Sequence, residues 1–441
     1  MLNCPHVIRS WILSFIAAAI AGGGCLDNPT PKSATETEDT STEDETRDTS
    51  TEDETVDTSA EIVDADGDTE VTTTPPASAL TSTLDSERWV IGNDRFEVVL
   101  EADTGWLPAE LRTFQGSGAN LVYGNTTQSS ESWLGLSLYD RAHLWADATQ
   151  LDASDAGGAI VRASKTWAFQ GEMSGTTELT VHADGRLVVS WDITVPTTRA
   201  PATLVAYTTL DILRFTHVEA GTADSWTLPT GQTPGGGFTF LTTALGDVPY
   251  LCARHTATRD VVGFVERGVA SLDPLLPRIT EHAGGAGTVH SLRLQYDFAR
   301  DSVPAGTYAG RLLLAVDGTT TCDRVAAQAE AFRAPAALTM SIGALRLDAP
   351  GDADADGYVE AGGYYTIAST TRAATLIPAR TLPSLTLRLF GTGWSQPTLV
   401  AGATTLAHGT DFIAQPAAAG DGGWVVLLRP LSAGAGLSIT W

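Results

Sequence analysis

In the stretch Leu187-Val188-Val189-Ser190-Trp191-Asp192-Ile193-Thr194-Val195 every second residue is apolar, so Leu187, Val189, Trp191, Ile193 and Val195 share one strand face with mainly polar groups opposite. Glu178-Leu179-Thr180-Val181 precedes it and Asp184-Gly185 supplies a bend that tolerates positive φ, which together predict a hairpin. The same period of two recurs at Leu292-Leu294-Tyr296-Phe298 and at Tyr308-Gly310-Leu312-Leu314-Val316. Strands of this kind, separated by Gly, Pro, Asn and Asp clusters, predict an all-β chain of packed antiparallel sheets. One helix breaks the pattern, from Cys322 to Phe332, where Thr321 can cap, Asp323 sits in the first turn and Val325, Ala329 and Phe332 form a stripe. The expected organisation is a large β-sandwich over 84–320, a connecting helix over 321–335 and a smaller immunoglobulin-like β-sandwich over 336–441. Short strands around Leu399-Val400-Ala401, Trp424-Val425-Val426-Leu427-Leu428 and Leu437-Ser438-Ile439-Thr440-Trp441 belong to the last.

The composition agrees with a folded body on a charged arm. The 441 residues carry 53 Asp and Glu against 26 Lys and Arg, a net charge of −27, and 43% are hydrophobic. That is enough apolar material for a core, and so acidic a surface repels phosphate backbones, which excludes nucleic acid as an expected partner. The acid is concentrated: Leu26 to Leu80 holds 17 acidic and 2 basic residues among Thr and Ser, including the near-copies Ser41-Thr42-Glu43-Asp44-Glu45-Thr46 and Ser50-Thr51-Glu52-Asp53-Glu54-Thr55. With like charges repelling and little to bury, residues 25–83 are expected to be an extended, disordered linker.

Ahead of the linker, Arg9 is followed by an apolar run from Trp11 to Ala21 and then Gly22, Gly23, Gly24 and Cys25. The run is too short to span a bilayer and fits a secretory signal peptide over 1–24. Small residues before a cysteine resemble the lipobox of bacterial lipoproteins, although Gly22 stands where Leu, Val or Ile is usual. The resemblance implies lipidation of Cys25 and a membrane partner reached through that lipid, in the cell envelope, at the outer membrane or cell surface. Cleavage after Ala19-Ile20-Ala21, leaving Cys25 as a thiol, is the alternative. In an exported chain Cys252 and Cys322 can pair and fasten the helix to the large domain, or remain separate buried thiols.

The start of the large domain, Ile91-Gly92-Asn93-Asp94-Arg95-Phe96-Glu97-Val98-Val99-Leu100 followed by Asp103-Thr104-Gly105-Trp106-Leu107-Pro108-Ala109-Glu110-Leu111 and then Asn120-Leu121-Val122-Tyr123-Gly124, resembles the first strands of galactose-mutarotase-like supersandwich domains. The resemblance implies a large curved sandwich that many carbohydrate-active proteins use as a catalytic or accessory module; fold alone assigns no activity. Within it, Trp133-Leu134-Gly135-Leu136-Ser137-Leu138-Tyr139 puts three leucines on one face and Trp133, Gly135, Ser137 and Tyr139 on the other. Two aromatics with small residues between them form a floor about 20 Å long at strand rise. Aromatic faces cover the C–H surfaces of sugars, and Asp140, Arg141, His143 and Trp145 follow at the mouth, so Trp133, Tyr139, Asp140, Arg141, His143 and Trp145 are the candidate glycan-binding residues. The competing expectation is that Trp133 and Tyr139 pack under a loop or against the second sheet.

No catalytic set is assigned. Tyr139, Arg141 and His143 are residue types that serve a polysaccharide lyase, His255 is a second candidate, and 36 acidic residues after Leu80 leave a glycosidase pair unspecified. The chain lacks G-x-S-x-G, P-loop and H-E-x-x-H motifs. Asp352-Ala353-Asp354-Ala355-Asp356-Gly357 is the clearest chemical motif, because alternate aspartates aim oxygen donors at one point and glycine permits the sharp turn of a calcium loop. It resembles EF-hand-type loops and the acidic loops that open bacterial β-sandwich modules, with Asp352, Asp354, Asp356, Tyr358 and Glu360 as candidate ligands of a structural Ca2+. Gly363 occupies the twelfth position, where a bidentate Glu normally closes the shell, and a plain acidic turn is the alternative. No organic cofactor is expected. Three function classes follow: a non-catalytic carbohydrate-binding or adhesive lipoprotein, a polysaccharide lyase or glycoside hydrolase, and a structural envelope protein.

Overall fold

The computed structural model describes residues 78–102, 106–122, 134–138, 152–169, 173–221, 224–228, 237–240, 248–267, 276–283, 290–299, 301–391, 395–418 and 423–441. The signal peptide, Cys25 and almost all of the acidic linker lie outside these residues, as do Trp133, Tyr139, Asp140, Arg141, His143 and Trp145. The chain is all-β with one α-helix among the described residues. Up to Asp317 the strands form a four-stranded meander over 81–113, a five-stranded sheet and a nine-stranded sheet. From Leu338 onward they form a five-stranded and a six-stranded sheet. Pairing between the described strands is antiparallel except between Tyr364–Ala368 and Leu385–Phe390, which run parallel.

The predicted hairpin is the centre of the nine-stranded sheet. Met173–His182 pairs with Arg186–Val195, which pairs on its other side with Gly306–Asp317. Leu187, Val189, Trp191, Ile193 and Val195 are buried with Leu292, Leu294, Tyr296 and Phe298 of the five-stranded sheet, and the Trp191 ring meets Phe298 edge-on at 5.3 Å. The first meander locks onto this hairpin through Asn93, whose Nδ2 donates to the carbonyl of Ala183 at 2.8 Å while its Oδ1 accepts from the Arg95 amide at 2.9 Å.

The opposite face of Arg186–Val195 departs from the alternation. Arg186, Val188 and Ser190 are buried too, because the connecting helix, Asp323–Arg333, and the C-terminal sheets cover that side. The helix lays Val325, Ala329 and Phe332 on Val188, Val261, Val265, Leu313 and Ala315, and the Cys252–Cys322 disulfide ties its start to the strand Leu251–Arg254. Thr321 does not cap a backbone amide; its hydroxyl donates to the Asp323 carboxylate at 2.9 Å.

Several contacts join the C-terminal sheets to the large sandwich, two of them deeply buried. Gln415 pairs its side-chain amide with the backbone of Ile160, accepting from the amide and donating to the carbonyl at 3.1 Å each, while Ile413, Val425 and Leu427 enter the large core. The second is a buried polar knot. Arg186 Nε donates to Asp184 Oδ2 at 2.8 Å, and its Nη2 donates to Thr386 Oγ1 at 2.8 Å. His182 Nε2 lies 2.8 Å from the Gly362 carbonyl and must therefore donate, which leaves Nδ1 as the acceptor facing Arg186 Nη2 at 3.3 Å and Thr386 Oγ1 at 3.1 Å. Burial, reinforced by the Arg186 guanidinium, holds the His182 imidazole neutral, its pKa pushed down from 6.5 to about 3.

Between pH 6.5 and about 3 the unfolded chain therefore takes up a proton that folded His182 refuses. Stability falls with pH across that window by about 1.4 kcal/mol per unit for this group, and is complete above 6.5. In urea denaturation from pH 7 to 4.5, His182→Gln should lose stability with pH less steeply than wild type; equal slopes would show that the imidazole is not held neutral.

Candidate functional site

The acidic loop lies between the short strands Ala344–Leu345 and Tyr358–Val359. Its aspartates first organise the backbone. Asp352 accepts from the amides of Asp356 and Gly357 at 3.3 and 2.9 Å and so closes the loop, and Asp356 Oδ1 accepts from the Tyr358 amide at 2.7 Å, an Asx turn. Ala355 and Gly357 adopt φ of 58° and 87°, the left-handed curl that turns alternate side chains toward one point and that glycine accommodates without strain. One oxygen from each of Asp352, Asp354, Asp356 and Glu360 then lies within 4.8 Å of the others, a cluster that could hold a metal ion.

Glu360 is the buried member, with its side chain 1% exposed. Oε2 accepts from the Ala353 amide at 2.8 Å. Oε1 lies 2.9 Å from Arg267 Nη2 but accepts no directed hydrogen bond, so that contact is ionic. The crowding is visible in the carboxyls. Burial, and the like charges of Asp354 and Asp352, raise Asp356 above its ordinary range; burial raises Glu360 despite the Ala353 amide and Arg267. Tyr358 contributes only backbone here, because its ring is buried edge-on to Tyr365 at 4.9 Å. The twelfth position cannot carry a closing Glu: Gly363 has φ of 70°, and a Cβ on it would stand 2.8 Å from Val188. That glycine serves the seam instead, and Glu360 supplies the buried carboxylate.

A second cluster, which no local sequence pattern singles out, lies on the five-stranded sheet. In register, Gly135 pairs with Tyr207 and Tyr207 with Gln295, while Ser137 pairs with Val205 and Val205 with Asp297. The alternation places Val205, Tyr207, Thr209, Arg293, Gln295 and Asp297 on the face turned away from the core, the face that also carries positions 135 and 137. Arg293 is half-buried with its guanidinium carbon 4.6 Å from the Tyr207 ring centre, a cation–π stack. Gln295 donates to Asp297 at 2.8 Å, and the buried Thr209 hydroxyl has no hydrogen-bond partner among the described residues. An aromatic ring, a guanidinium, an amide, a carboxylate and a hydroxyl thus share one sheet face, on which Tyr207, Thr209, Gln295 and Asp297 are buried and Arg293 is half-buried. The two strands are some ninety residues apart, so only pairing reveals the set. His255 serves the backbone of its own loop, where its Nδ1 accepts from the amides of Ala257 and Thr258 at 3.1 and 2.9 Å and closes a turn.

No family model and no curated protein matches the chain. Solved structures similar to it in part include a TPR-domain containing protein from Parabacteroides distasonis, at 11% identity over 56% of this chain and 53% of that one, with a TM-score of 0.36. A mutant of the heparan sulfate lyase HepC from Pedobacter heparinus is 10% identical over 68% of this chain and 41% of its own, also at 0.36. A GalM/aldose epimerase homologue from C. elegans is 12% identical over 55% of this chain and 100% of its own, at 0.34. The chain thus spans about half the length of the first and two fifths of the second.

Proposed function

We propose that this chain is an exported protein, anchored through a lipid on Cys25, that binds a glycan on the polar face of its five-stranded sheet and holds a structural Ca2+ in its acidic loop. The observation that carries the glycan reading is the convergence of Tyr207, Arg293, Gln295 and Asp297 on the face that continues to positions 135 and 137. The half-buried Arg293 guanidinium, held from beneath by the buried Tyr207 ring, suits the hydroxyl rim of a pyranose. The bridge between Cys252 and Cys322 supports export, since such bonds persist in oxidising compartments. Oxygen donors of mixed burial support Ca2+ over softer-ligand metals. A polysaccharide lyase is the second reading, favoured by the half-buried Arg293 guanidinium, since a cation can neutralise a uronate.

On a glycan array the chain is expected to bind at least one glycan, and Arg293→Ala to lose about tenfold in affinity, or 1.4 kcal/mol, at an unchanged melting temperature. The absence of any binding would remove the glycan reading, and ultraviolet-absorbing unsaturated products from a bound glycan would replace it with the lyase. In cells given alkynyl palmitate, wild type should take up label and Cys25→Ala should not; label in both would place the lipid elsewhere. Ca2+ at a hundredfold excess over its Kd should stabilise the chain by about 2.7 kcal/mol against chelator. Asp354→Asn, which spares the turn's hydrogen bonds, should abolish most of that gain, and an unchanged wild-type melting profile would refute the Ca2+ reading.

A further inference from the structure

Arg267 ends the strand Val261–Arg267 of the large sandwich, yet its side chain, 12% exposed, reaches the acidic loop of the C-terminal part. Nη1 donates to the carbonyl of Phe332, near the end of the connecting helix, at 3.2 Å. Nη2 donates to Asp354 Oδ2 at 3.1 Å and lies 2.9 Å from Glu360 Oε1. The guanidinium carbon stands 5.7 Å from the Tyr358 ring centre. One cation therefore braces three elements and already sits on two of the four carboxylates that converge in the loop. Glu360 Oε1 is the decisive atom: it is buried and, among the described residues, accepts no hydrogen bond and has only this ionic contact.

We propose that Arg267 is the resident counter-cation of the acidic loop, and that a divalent cation entering the loop displaces its guanidinium from Asp354 and Glu360. The proposal rests on the cation reading given above. Calcium takes carboxylate oxygens at about 2.3–2.6 Å, and a guanidinium touching the same two oxygens would stand next to a double positive charge. Both cannot keep full hold of Asp354 and Glu360. Occupation of the loop is thus exchanged against the brace from Arg267 to the helix end, and by linkage each weakens the other to the same degree. Ca2+ concentration would then set how firmly the end of the helix is tied to the C-terminal part.

The test is calorimetric titration of the full chain with Ca2+. Arg267→Gln, which removes the charge, should bind about tenfold tighter than wild type, and Arg267→Lys, which keeps it, within about threefold of wild type. Equal or weaker binding by Arg267→Gln, with wild type binding normally, would overturn the proposal and leave the cation site standing. Absence of binding by all three would overturn both. Hydrogen exchange on wild type decides the matter without any variant. On adding Ca2+, the amides of Ala353, Gly357 and Tyr358 should slow while those of residues 330–334 quicken; slowing at both places would show that cation and arginine act together, against the proposal.

Discussion

The constraint on which the structure depends is that the nine-stranded sheet must be covered on both sides. The strand Arg186–Val195 shows why. One side of it completes the core with the five-stranded sheet, and the other, from Arg186 to Ser190, would expose Val188 and a buried-type ion pair to water if nothing lay on it. The connecting helix and the C-terminal sheets provide that cover. The described residues consequently form one compact unit, with Ile413, Val425 and Leu427 of the last sheets packed in the core of the first.

The cover is specified by polar groups more than by apolar area. Burying Asp184 and Arg186 together gains little net stability, but removing either partner of such a pair typically costs about 3–5 kcal/mol. The knot therefore penalises any misplacement of Thr386 or Gly362 against His182 and Arg186. Burial pushes the Asp184 carboxyl up, but Arg186, with help from Arg324, holds it well below the ordinary carboxylate range. The helix joins the same arrangement, since Arg324 donates to the carbonyl of Asp184 at 2.8 Å and to Asp317 at 2.9 Å. Gly363 shows the consequence for the acidic loop: the position that would close a calcium shell is spent on close contact with Val188, and a glutamate three residues earlier is buried instead.

Much of this was legible along the chain. Period-two runs at 187–195, 292–298 and 308–316 mark strands whose apolar members are core, and the stripe Val325, Ala329 and Phe332 marks the one α-helix among the described residues to within a residue at each end. The acidic loop was legible because its donors are neighbours in sequence, so local geometry alone brings them together. Tyr358 was less so, since only the core beside it reveals that its ring turns inward.

What local sequence determined, then, is the period of each described strand, the helix Asp323–Arg333, the acid-rich composition of residues 26–80 and the convergence of Asp352, Asp354, Asp356 and Glu360. Tertiary structure alone decided that Val188 and Arg186 are interior, that Arg267 reaches across to Asp354 and that Tyr207 meets Arg293. The reason is physical. Backbone periodicity and turn chemistry act over a few residues, whereas burial of a second strand face, and pairing between strands distant in sequence, depend on which surfaces the rest of the chain brings to them.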